Sequence, residues 1–203
     1  MKIQQIIGDF LDANVFLVEK DGQALIVDSG ASVDKIKEAL GDKKIVGALL
    51  THAHYDHACH CLDYAKDFGC KIYVSEHGKE ILQDHEKNYS EDFEVKNFSV
   101  FQFLKGDGAM RIGDFEVQYF ATPGHSPCAI CYKIGDDLFA GDTLFSNSIG
   151  RTDLYKSDKK EMIASLEKLD KIEFKTCHSG HGEDSTFDRQ KRNIKVFLRF
   201  LQR

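Results

Sequence analysis

Short apolar runs alternate with amphipathic segments along the first half of the chain, which favours strands interleaved with helices. A Lys20-Asp21-Gly22 turn joins the first two runs and is typical of a β-hairpin. Ser32 is placed to cap a helix that Gly41 ends. The pattern predicts strands at 13–19, 23–28, 45–50 and 71–74, and helices at Val33–Leu40 and 56–68.

The second half carries more strand signal, in short runs bounded by Gly or Asp turns. The pattern predicts strands at 98–103, 109–112, 115–122, 129–134, 137–140 and 174–177, and helices at Lys159–Leu169 and 189–201. A polar, acidic stretch at 83–96 is predicted to be an exposed loop or a ragged helix end. Because each half holds several strands and then helices, we expect an α/β (α+β) fold of two sheets with helices outside.

Length and composition fit one globular domain spanning residues 1–203. Hydrophobic residues make up 42% and charged residues 30% of the chain, as in ordinary soluble proteins. The net charge of −6 is spread without a basic block, so we expect no nucleic-acid partner. No apolar run approaches the ~18 residues of a membrane span, and the first residues lack a signal-peptide pattern. We therefore expect a cytoplasmic protein with no membrane partner.

The six cysteines are expected to be free thiols, since nothing indicates a secretory route. The alternative is a split zinc site built from Cys59, Cys61, Cys128 and Cys131. The last two lie three positions apart in an apolar, strand-like run, where such side chains face opposite sides. This spacing favours free thiols.

The histidines are unevenly distributed, and four of the nine lie between residues 52 and 60. The run Thr51-His52-Ala53-His54-Tyr55-Asp56-His57 begins where a predicted strand ends, a common place for functional residues in layered folds. In extended chain, His52 and His54 point the same way, and Asp56 and His57 follow as a helix starts. Three imidazoles and a carboxylate suit a borderline divalent ion such as zinc.

Further metal ligands are expected from three later loops, each directly after a predicted strand. His125 lies midway between the only two prolines, Pro123 and Pro127, which would hold its loop in one conformation. Asp142 lies in a Gly-Asp-Thr-Leu-Phe run, and His181 lies in a Gly-His-Gly run. With the first cluster, these residues make five histidines and two aspartates, enough for two ions that share a carboxylate.

This order of motifs resembles the metallo-β-lactamase fold superfamily. Residues 141–145 (Gly-Asp-Thr-Leu-Phe) and 148–154 (Ser-Ile-Gly-Arg-Thr-Asp-Leu) are similar to its hydroxyacylglutathione hydrolase (glyoxalase II)-like branch, in a short single-domain form. Residues 27–30 (Val-Asp-Ser-Gly) resemble an early D-x-G element of the superfamily. The resemblance implies a four-layer αββα sandwich of two mixed sheets, with the site along one sheet edge.

The resemblance also implies a role for each motif residue. It assigns His52, His54 and His125 to a first metal ion, Asp56, His57 and His181 to a second, and Asp142 to a bridge between them. Asp28 would orient a ligand loop, with a helix cap as the alternative. Two divalent ions are expected as cofactors, with zinc favoured and iron or manganese also suited to these ligands.

Some positions depart from the family pattern. Cys59-His60 stands where relatives carry Gly-Gly, and His60 either contributes to substrate or metal binding or has a packing or surface role. Arg151 is a candidate for binding a glutathione carboxylate, but Asp153 and Glu183 stand where the larger enzymes use tyrosines. The C-terminal helical domain of those enzymes is not expected here. The thiol carrier therefore stays open.

The expected function is hydrolysis of a small-molecule thioester by a metal-bridging hydroxide, with Asp56 orienting the nucleophile. A thioester suits this site because a thiolate leaves without a strong general acid. The alternatives are an iron-dependent persulfide dioxygenase, a lactonase or other ester hydrolase, and a metal-binding scaffold without activity. The sequence leaves the oligomeric state open, a homo-oligomer included.

Overall fold

The computed structural model describes residues 1–202 and contains twelve strands and seven helices in that range. The strands are β1 Lys2–Ile7, β2 Asn14–Lys20, β3 Gln23–Val27, β4 Lys44–Leu49, β5 Ile72–Ser75, β6 Phe101–Leu104, β7 Gly108–Ile112, β8 Phe115–Ala121, β9 Ile130–Ile134, β10 Asp137–Gly141, β11 Thr176–Ser179 and β12 Ser185–Thr186. The helices are α1 Val33–Leu40, α2 Tyr55–Ala58, α3 Cys61–Phe68, α4 Gly78–Leu82, α5 His85–Asn88, α6 Lys159–Leu169 and α7 Phe187–Leu201.

The strands form two mixed sheets of six strands each. The first has the order β1-β2-β3-β4-β5-β6, antiparallel from β1 to β3 and parallel from β3 to β6. The second has the order β12-β11-β10-β9-β8-β7, antiparallel except for the parallel pair β10 and β11. Each sheet is therefore built from one contiguous half of the chain, and the chain passes between the sheets at residues 105–107.

The hydrophobic core lies in three layers. The layer between the sheets joins side chains of both, including Phe16, Leu25 and Leu49 from the first sheet and Phe115 and Phe139 from the second. A second layer lies between the first sheet and helices α1, α3 and α4. A third lies between the second sheet and helices α6 and α7. This arrangement confirms the predicted αββα sandwich.

The predicted helix at 56–68 is interrupted, and the interruption has a local cause. The carbonyl of His57 accepts hydrogen bonds from the backbone N–H (2.7 Å) and the hydroxyl (3.1 Å) of Ser29 instead of continuing a helical ladder. Helix α2 therefore ends at Ala58, and α3 starts at Cys61.

Other elements differ from the predictions at their ends. Strand β1 was not predicted, because its largely exposed sequence Lys-Ile-Gln-Gln-Ile-Ile lacks a clear alternation. The runs predicted at 98–103 and 174–177 start later, as β6 and β11. The two-residue strand β12 also escaped prediction, and α7 begins at Phe187, where the Thr186 hydroxyl accepts from the Arg189 N–H. The stretch at 83–96 contains only the short helix α5 within otherwise irregular chain.

None of the helices in the described part of the chain combines the length and apolarity needed to cross a bilayer. All six cysteines are free, and none of the histidine and carboxylate clusters found in residues 1–202 includes one. The alternative of a cysteine zinc site is therefore not supported.

Candidate metal centre

One edge of the sandwich collects the ends of β4, β8, β10 and β11, and the seven predicted ligands lie there. His52 and His54 follow β4, and Asp56 and His57 lie in α2. The other three follow strands of the second sheet. The structure thus brings together all seven side chains that the sequence pattern grouped: His52, His54, Asp56, His57, His125, Asp142 and His181.

The first cluster consists of three buried imidazoles. His52, His54 and His125 each offer a ring nitrogen within 4.8 Å of the other two. Nδ1 of His54 lies 3.1 Å from Nε2 of His125, so these nitrogens point toward each other. Three neutral imidazoles that converge in this way can coordinate one divalent ion.

The second cluster combines two imidazoles with a carboxylate. Ligand atoms of Asp56, His57 and His181 lie within 4.8 Å of one another. Nε2 of His181 is 3.2 Å from Nε2 of His57 and 3.2 Å from Oδ2 of Asp56. This mixed nitrogen and oxygen set also suits a divalent transition metal.

Asp142 lies between the two clusters. Its Oδ1 is 3.4 Å from Nε2 of His57, and its Oδ2 is 3.6 Å from Nε2 of His125 and 3.7 Å from Nε2 of His181. Its carboxylate therefore reaches both clusters.

Unpaired buried atoms show that these residues fit metal ions. Six buried side-chain nitrogen or oxygen atoms lack a hydrogen-bond partner within the described residues, and two of them, His52 Nε2 and Asp142 Oδ1, belong to the predicted ligands and lie at this site. A buried polar atom without a partner costs about 1–3 kcal/mol. Their convergence at one edge is explained if two divalent ions bind there.

Asp28 supports this edge from behind. Its Oδ2 lies 2.8 Å from Nδ1 of His57 and accepts from the Thr51 hydroxyl, and its Oδ1 accepts from the Thr51 N–H. The bond to Nδ1 directs Nε2 of His57 toward the cluster, as carboxylates do for metal-binding histidines. Asp28 also holds a positive φ of 63°, which is costly for a residue other than glycine. Its contacts match an orienting role and not a helix cap.

Two further bonds orient the imidazoles of the first cluster. Nδ1 of His125 lies 3.1 Å from the carbonyl of Arg151, and Nδ1 of His52 lies 3.1 Å from the hydroxyl of Thr51. In each ring the Nε2 atom then faces the site. Thr51 was not singled out by the sequence pattern, although it directly precedes His52.

Burial and neighbouring charges set the protonation of the imidazoles. Burial, reinforced by the charge of His57, lowers the pKa of His52, and burial together with His125 lowers the pKa of His54 to about 3. Burial would also lower the pKa of His57, but Asp142, Asp28 and Asp56 outweigh it and raise that pKa to about 10. His52 and His54 are therefore neutral at pH 7 and ready to coordinate, whereas His57 must release a proton when a metal binds.

Asp56 stays ionised at neutral pH. Burial would raise its pKa, but His57 and His181 outweigh that effect and lower the pKa to about 2. An ionised carboxylate at this edge can coordinate a metal ion or accept a hydrogen bond from a water in the cavity.

Asn14 holds the loop that carries His181. This buried side chain donates to the carbonyls of Ser179 and Gly182, both at 2.9 Å, on either side of the histidine. Gly180 lets the same loop approach closely, since a Cβ there would overlap Asp142 and His57. Asn14 was missed at the sequence level because it reads as an ordinary first residue of a strand.

The His125 loop is held by its neighbours as well as by its prolines. The carbonyl of Pro123 accepts from the Ser165 hydroxyl at 2.6 Å, and the carbonyl of Gly124 accepts from the Asp158 N–H at 2.9 Å. Both donors lie in or next to helix α6. The loop is therefore tied to the outer helix layer.

A cavity of about 280 Å³ opens onto the two clusters. Arg151 lines it, but its guanidinium forms a two-point ion pair with Asp153, at 2.7 and 2.8 Å. His60 does not line the cavity: its two ring nitrogens contact the carboxylates of Asp9 and Asp63, at 2.9 and 3.2 Å. The structure thus places His60 outside the cavity lining, between two carboxylates.

The lining also includes residues that the sequence pattern did not indicate, namely Leu11, Tyr55, Asn88, Tyr89 and Leu154. The ring of Tyr89 meets the imidazole of His54 edge-on, with centroids 5.2 Å apart. Tyr89 lies in the stretch predicted to be an exposed loop, where nothing in the local pattern distinguished it.

Two mixed sheets between helices, with a histidine and aspartate edge that fits two divalent ions, define a metal-dependent class of αββα protein. The chain belongs to the Metallo-beta-lactamase superfamily, whose family model matches residues 8–181.

Two curated relatives resemble most of the chain. A probable metallo-hydrolase of Bacillus subtilis, YqgX, is 33% identical over 184 residues, which cover 86% of this chain and 87% of that protein. The hydroxyacylglutathione hydrolase GloC of Haemophilus influenzae is 26% identical over 204 residues, covering 95% and 96% of the two chains.

Two solved structures share the fold across nearly their full length. The B3 metallo-beta-lactamase BLEG-1 is 28% identical with a TM-score of 0.89, covering 97% of this chain and 99% of that one. The protein TTHA1623, solved in a di-iron-bound form, is 26% identical with a TM-score of 0.80, covering 94% and 98%.

Proposed function

We propose that the protein is a binuclear metal hydrolase that cleaves thioesters, by the type of reaction that hydroxyacylglutathione hydrolase represents. The observation that carries the proposal is the geometry of the two clusters, with the carboxylate of Asp142 between them. The likeness to GloC over 95% of the chain supports the reaction type.

The ions have defined places in this proposal. His52, His54 and His125 would hold one, Asp56, His57 and His181 the other, and Asp142 would contact both. Bound divalent ions supply a water of lowered pKa and a Lewis acid for a carbonyl oxygen. Zinc is the proposed metal, and these nitrogen and oxygen ligands also accept iron and manganese.

Other groups of the protein orient the metal ligands and the nucleophile. Asp28 and the Arg151 carbonyl fix the rings of His57 and His125. Asp56, whose pKa is lowered to about 2, can orient a water nucleophile by accepting its hydrogen bond. Because a thiolate is a good leaving group, the thioester needs no strong general acid from the protein.

A second candidate is an iron-dependent persulfide dioxygenase, and the likeness to a protein solved with two irons supports iron as a possible metal. It would depend mainly on His52, His54, His125 and Asp142. The second cluster of Asp56, His57 and His181 favours the hydrolase, because one iron would leave that set unused. The likeness to a B3 metallo-beta-lactamase adds lactams and lactones to the substrates to be tested.

One panel of assays tests the proposal. The metal content of the purified protein is measured first, and then zinc-, iron- and manganese-loaded samples receive S-lactoylglutathione, phenyl thioacetate, glutathione persulfide, a lactone and a β-lactam. We expect thioester hydrolysis far above that of a His54→Ala control. Oxygen uptake with the persulfide, without thioester cleavage above the control, would replace the hydrolase with the dioxygenase.

A further inference from the structure

The cavity above the two clusters is too small to enclose a large substrate. Its volume of about 280 Å³ lies at or below the roughly 300–1,000 Å³ of ordinary ligand pockets. The part of a substrate beyond its reacting carbonyl must therefore lie against the mouth. The side chains at that mouth decide which substrates bind well.

Four of the lining residues are apolar or aromatic and form what we call the apolar rim: Leu11, Tyr55, Tyr89 and Leu154. Leu11 is 80% exposed and Tyr89 is 49% exposed. Phe10, also exposed, packs on Tyr55 with ring centroids 4.8 Å apart and extends the same surface. Large apolar side chains that gather at the mouth of a cavity mark a contact surface for a ligand.

The backbone holds two rim residues in costly conformations. Leu11 has a φ of 51° and Tyr89 a φ of 64°, in the left-handed region that disfavours residues other than glycine. The loop around Leu11 is closed by the bond from the Gly8 N–H to the Ala13 carbonyl, at 2.7 Å. The Tyr89 hydroxyl accepts from the Tyr155 N–H at 2.6 Å. The backbone at Leu11 and the side chain of Tyr89 are thus held at the mouth despite local strain.

Charge at the mouth does not suit a glutathione conjugate, which carries two carboxylates. Arg151 is the one lysine or arginine among the described residues that line the cavity, and Asp153 already occupies its guanidinium. Lys156, on the same loop, is paired with Glu80 at 2.8 and 3.0 Å. Neither carboxylate would meet an unpaired lysine or arginine among the described residues that line the cavity.

We infer that the apolar rim binds an uncharged alkyl or aryl group of the substrate, so that the favoured substrates are apolar thioesters and not glutathione conjugates. The inference rests on the proposed function for the reaction itself. Leu11 and Tyr89 are the specificity-determining residues.

Affinity of simple carboxylates for the zinc-loaded protein tests the rim without catalysis. Acetate and hexanoate share the carboxylate and differ by an alkyl chain, so the ratio of their dissociation constants reports contact with the rim. We expect hexanoate to bind about tenfold more tightly than acetate, as partial burial of four methylene groups implies. Calorimetric titration provides the constants.

Two rim variants separate loss of the apolar contact from loss of structure. Asparagine tolerates the left-handed region, so Leu11→Asn and Tyr89→Asn remove the apolar contact while relieving strain. Tyr89→Asn also removes the bond from the Tyr155 N–H to the Tyr89 hydroxyl, whereas Leu11→Asn removes no hydrogen bond of that kind. We expect the hexanoate preference to fall to about twofold in each. Phe200→Gln, at a 69% exposed site on α7 outside the cavity lining, is the matched control and keeps the tenfold preference. Equal binding of acetate and hexanoate by the wild type, or an unchanged preference in both rim variants, overturns the inference.

Kinetics separate this inference from the proposed function. With phenyl thioacetate, kcat/KM should fall about tenfold in Leu11→Asn through KM, whereas with S-acetylglutathione it should change less than twofold. If the wild type has a higher kcat/KM for S-acetylglutathione than for phenyl thioacetate, the inference about the rim is wrong, whereas the proposed thioester hydrolysis is retained. If the wild type prefers hexanoate to acetate but cleaves neither thioester, the proposed hydrolase function is wrong and the inferred binding of apolar groups by the rim is retained.

Discussion

The carboxylate of Asp142 lies within 3.7 Å of imidazoles from both clusters and has one oxygen without a hydrogen-bond partner. An arginine or lysine would ordinarily neutralise such a half-buried carboxylate, yet here its neighbours are imidazoles. At the scale of single residues, the site depends on side chains such as Asp142. A bound metal ion would neutralise the charge of this carboxylate and accept its free lone pair.

Asp142→Ala should lose at least one of two bound metal ions and most thioester hydrolysis. The substitution removes an oxygen ligand from the position between both clusters. Elemental analysis of the purified variant, together with its turnover, measures both effects. Asp136→Ala, which alters only an exposed ion pair with Lys175, serves as the control. Full occupancy by two ions in Asp142→Ala would show that Asp142 is not a bridging ligand.

Pro123→Ala should weaken metal binding two- to fivefold. The proline ring restricts the backbone conformations open to the His125 loop. Replacing it with alanine restores that freedom, and ordering the loop again costs about 0.4–1 kcal/mol. Competition with a chelator of known affinity measures the change. An unchanged affinity would mean that the Ser165 and Asp158 bonds alone hold the loop.

At the scale of elements, the loop after β11 is fixed by another strand rather than by its own sequence. Asn14 at the start of β2 donates to carbonyls on both sides of His181, and the Gln5 side chain of β1 donates to the side-chain oxygen Oδ1 of Asn14 at 2.6 Å. The position of one ligand therefore depends on two strands at the beginning of the chain.

Asn14→Ala should weaken one metal site about tenfold or more and leave the other nearly unchanged. It removes the side-chain donor to the Ser179 carbonyl and the shorter of two bonds to the Gly182 carbonyl, so the loop that carries His181 loosens. A two-site metal titration distinguishes the sites. Gln5→Ala should have a smaller effect, because it removes the bond to the Asn14 side chain and the long, exposed bond to the Gly182 carbonyl but leaves both Asn14 bonds to the loop. Equal weakening of both sites in Asn14→Ala would point to a general loss of structure.

Strand β11 also carries a buried histidine, His178, between two more exposed carboxylates. His178 lies between Asp184 (2.8 Å) and Asp137 (3.0 Å) and stacks on Phe139. Burial would lower the pKa of His178, but Asp184 and Asp137 outweigh it and raise that pKa above its usual 6.5. The folded state thus binds this proton more tightly than the unfolded state. The resulting stability is fully present below about pH 6.5 and is lost as pH rises through the folded pKa.

His178→Gln should therefore lower the free energy of unfolding more at pH 6 than at pH 9. Urea unfolding of the chelator-treated protein at both pH values measures the difference. His85→Gln, which removes an exposed pair with Glu94, should show little dependence on pH. The same loss at both pH values in His178→Gln would mean that packing on Phe139, and not charge, is what the histidine contributes.

At the scale of the whole molecule, both clusters draw ligands from both sheets. Within each, two residues follow β4 or lie in α2, and one follows a strand of the second sheet. Bound ions would therefore stabilise the packing of the sheets as well as the site.

Removal of metal should lower the melting temperature. An ion present at about 1,000 times its dissociation constant adds about 4 kcal/mol to stability. At roughly 2–4 °C per kcal/mol for a chain of this size, the loss is on the order of 10 °C. Differential scanning calorimetry before and after treatment with EDTA, with zinc added back, tests this. A melting temperature that is the same after EDTA treatment and after zinc is added back would exclude strong metal binding by the folded state.

The sequence was informative wherever a residue type carried its own chemical signature at a strand end. His52, His54, His125 and Asp142 could be placed at one edge because strand ends share an edge. Asn14, Tyr89 and Leu11 could not, since their roles arise from partners 66 to 168 positions away or from an unusual φ, neither of which a local pattern reports. The break between α2 and α3 could not be predicted either, because it depends on the hydrogen bond from Ser29, a residue distant in the sequence, to the His57 carbonyl.

The chain crosses between its sheets once, at residues 105–107, and each sheet is made from one half. A cut at this crossing would produce two fragments, each holding an incomplete set of ligands for each ion. Such fragments would pack against each other through the apolar layer between the sheets. With metal present, two ions would also join them, because each ion takes ligands from both fragments. Their association would then depend on metal concentration, which makes the crossing a natural place to divide the protein into a two-part metal reporter.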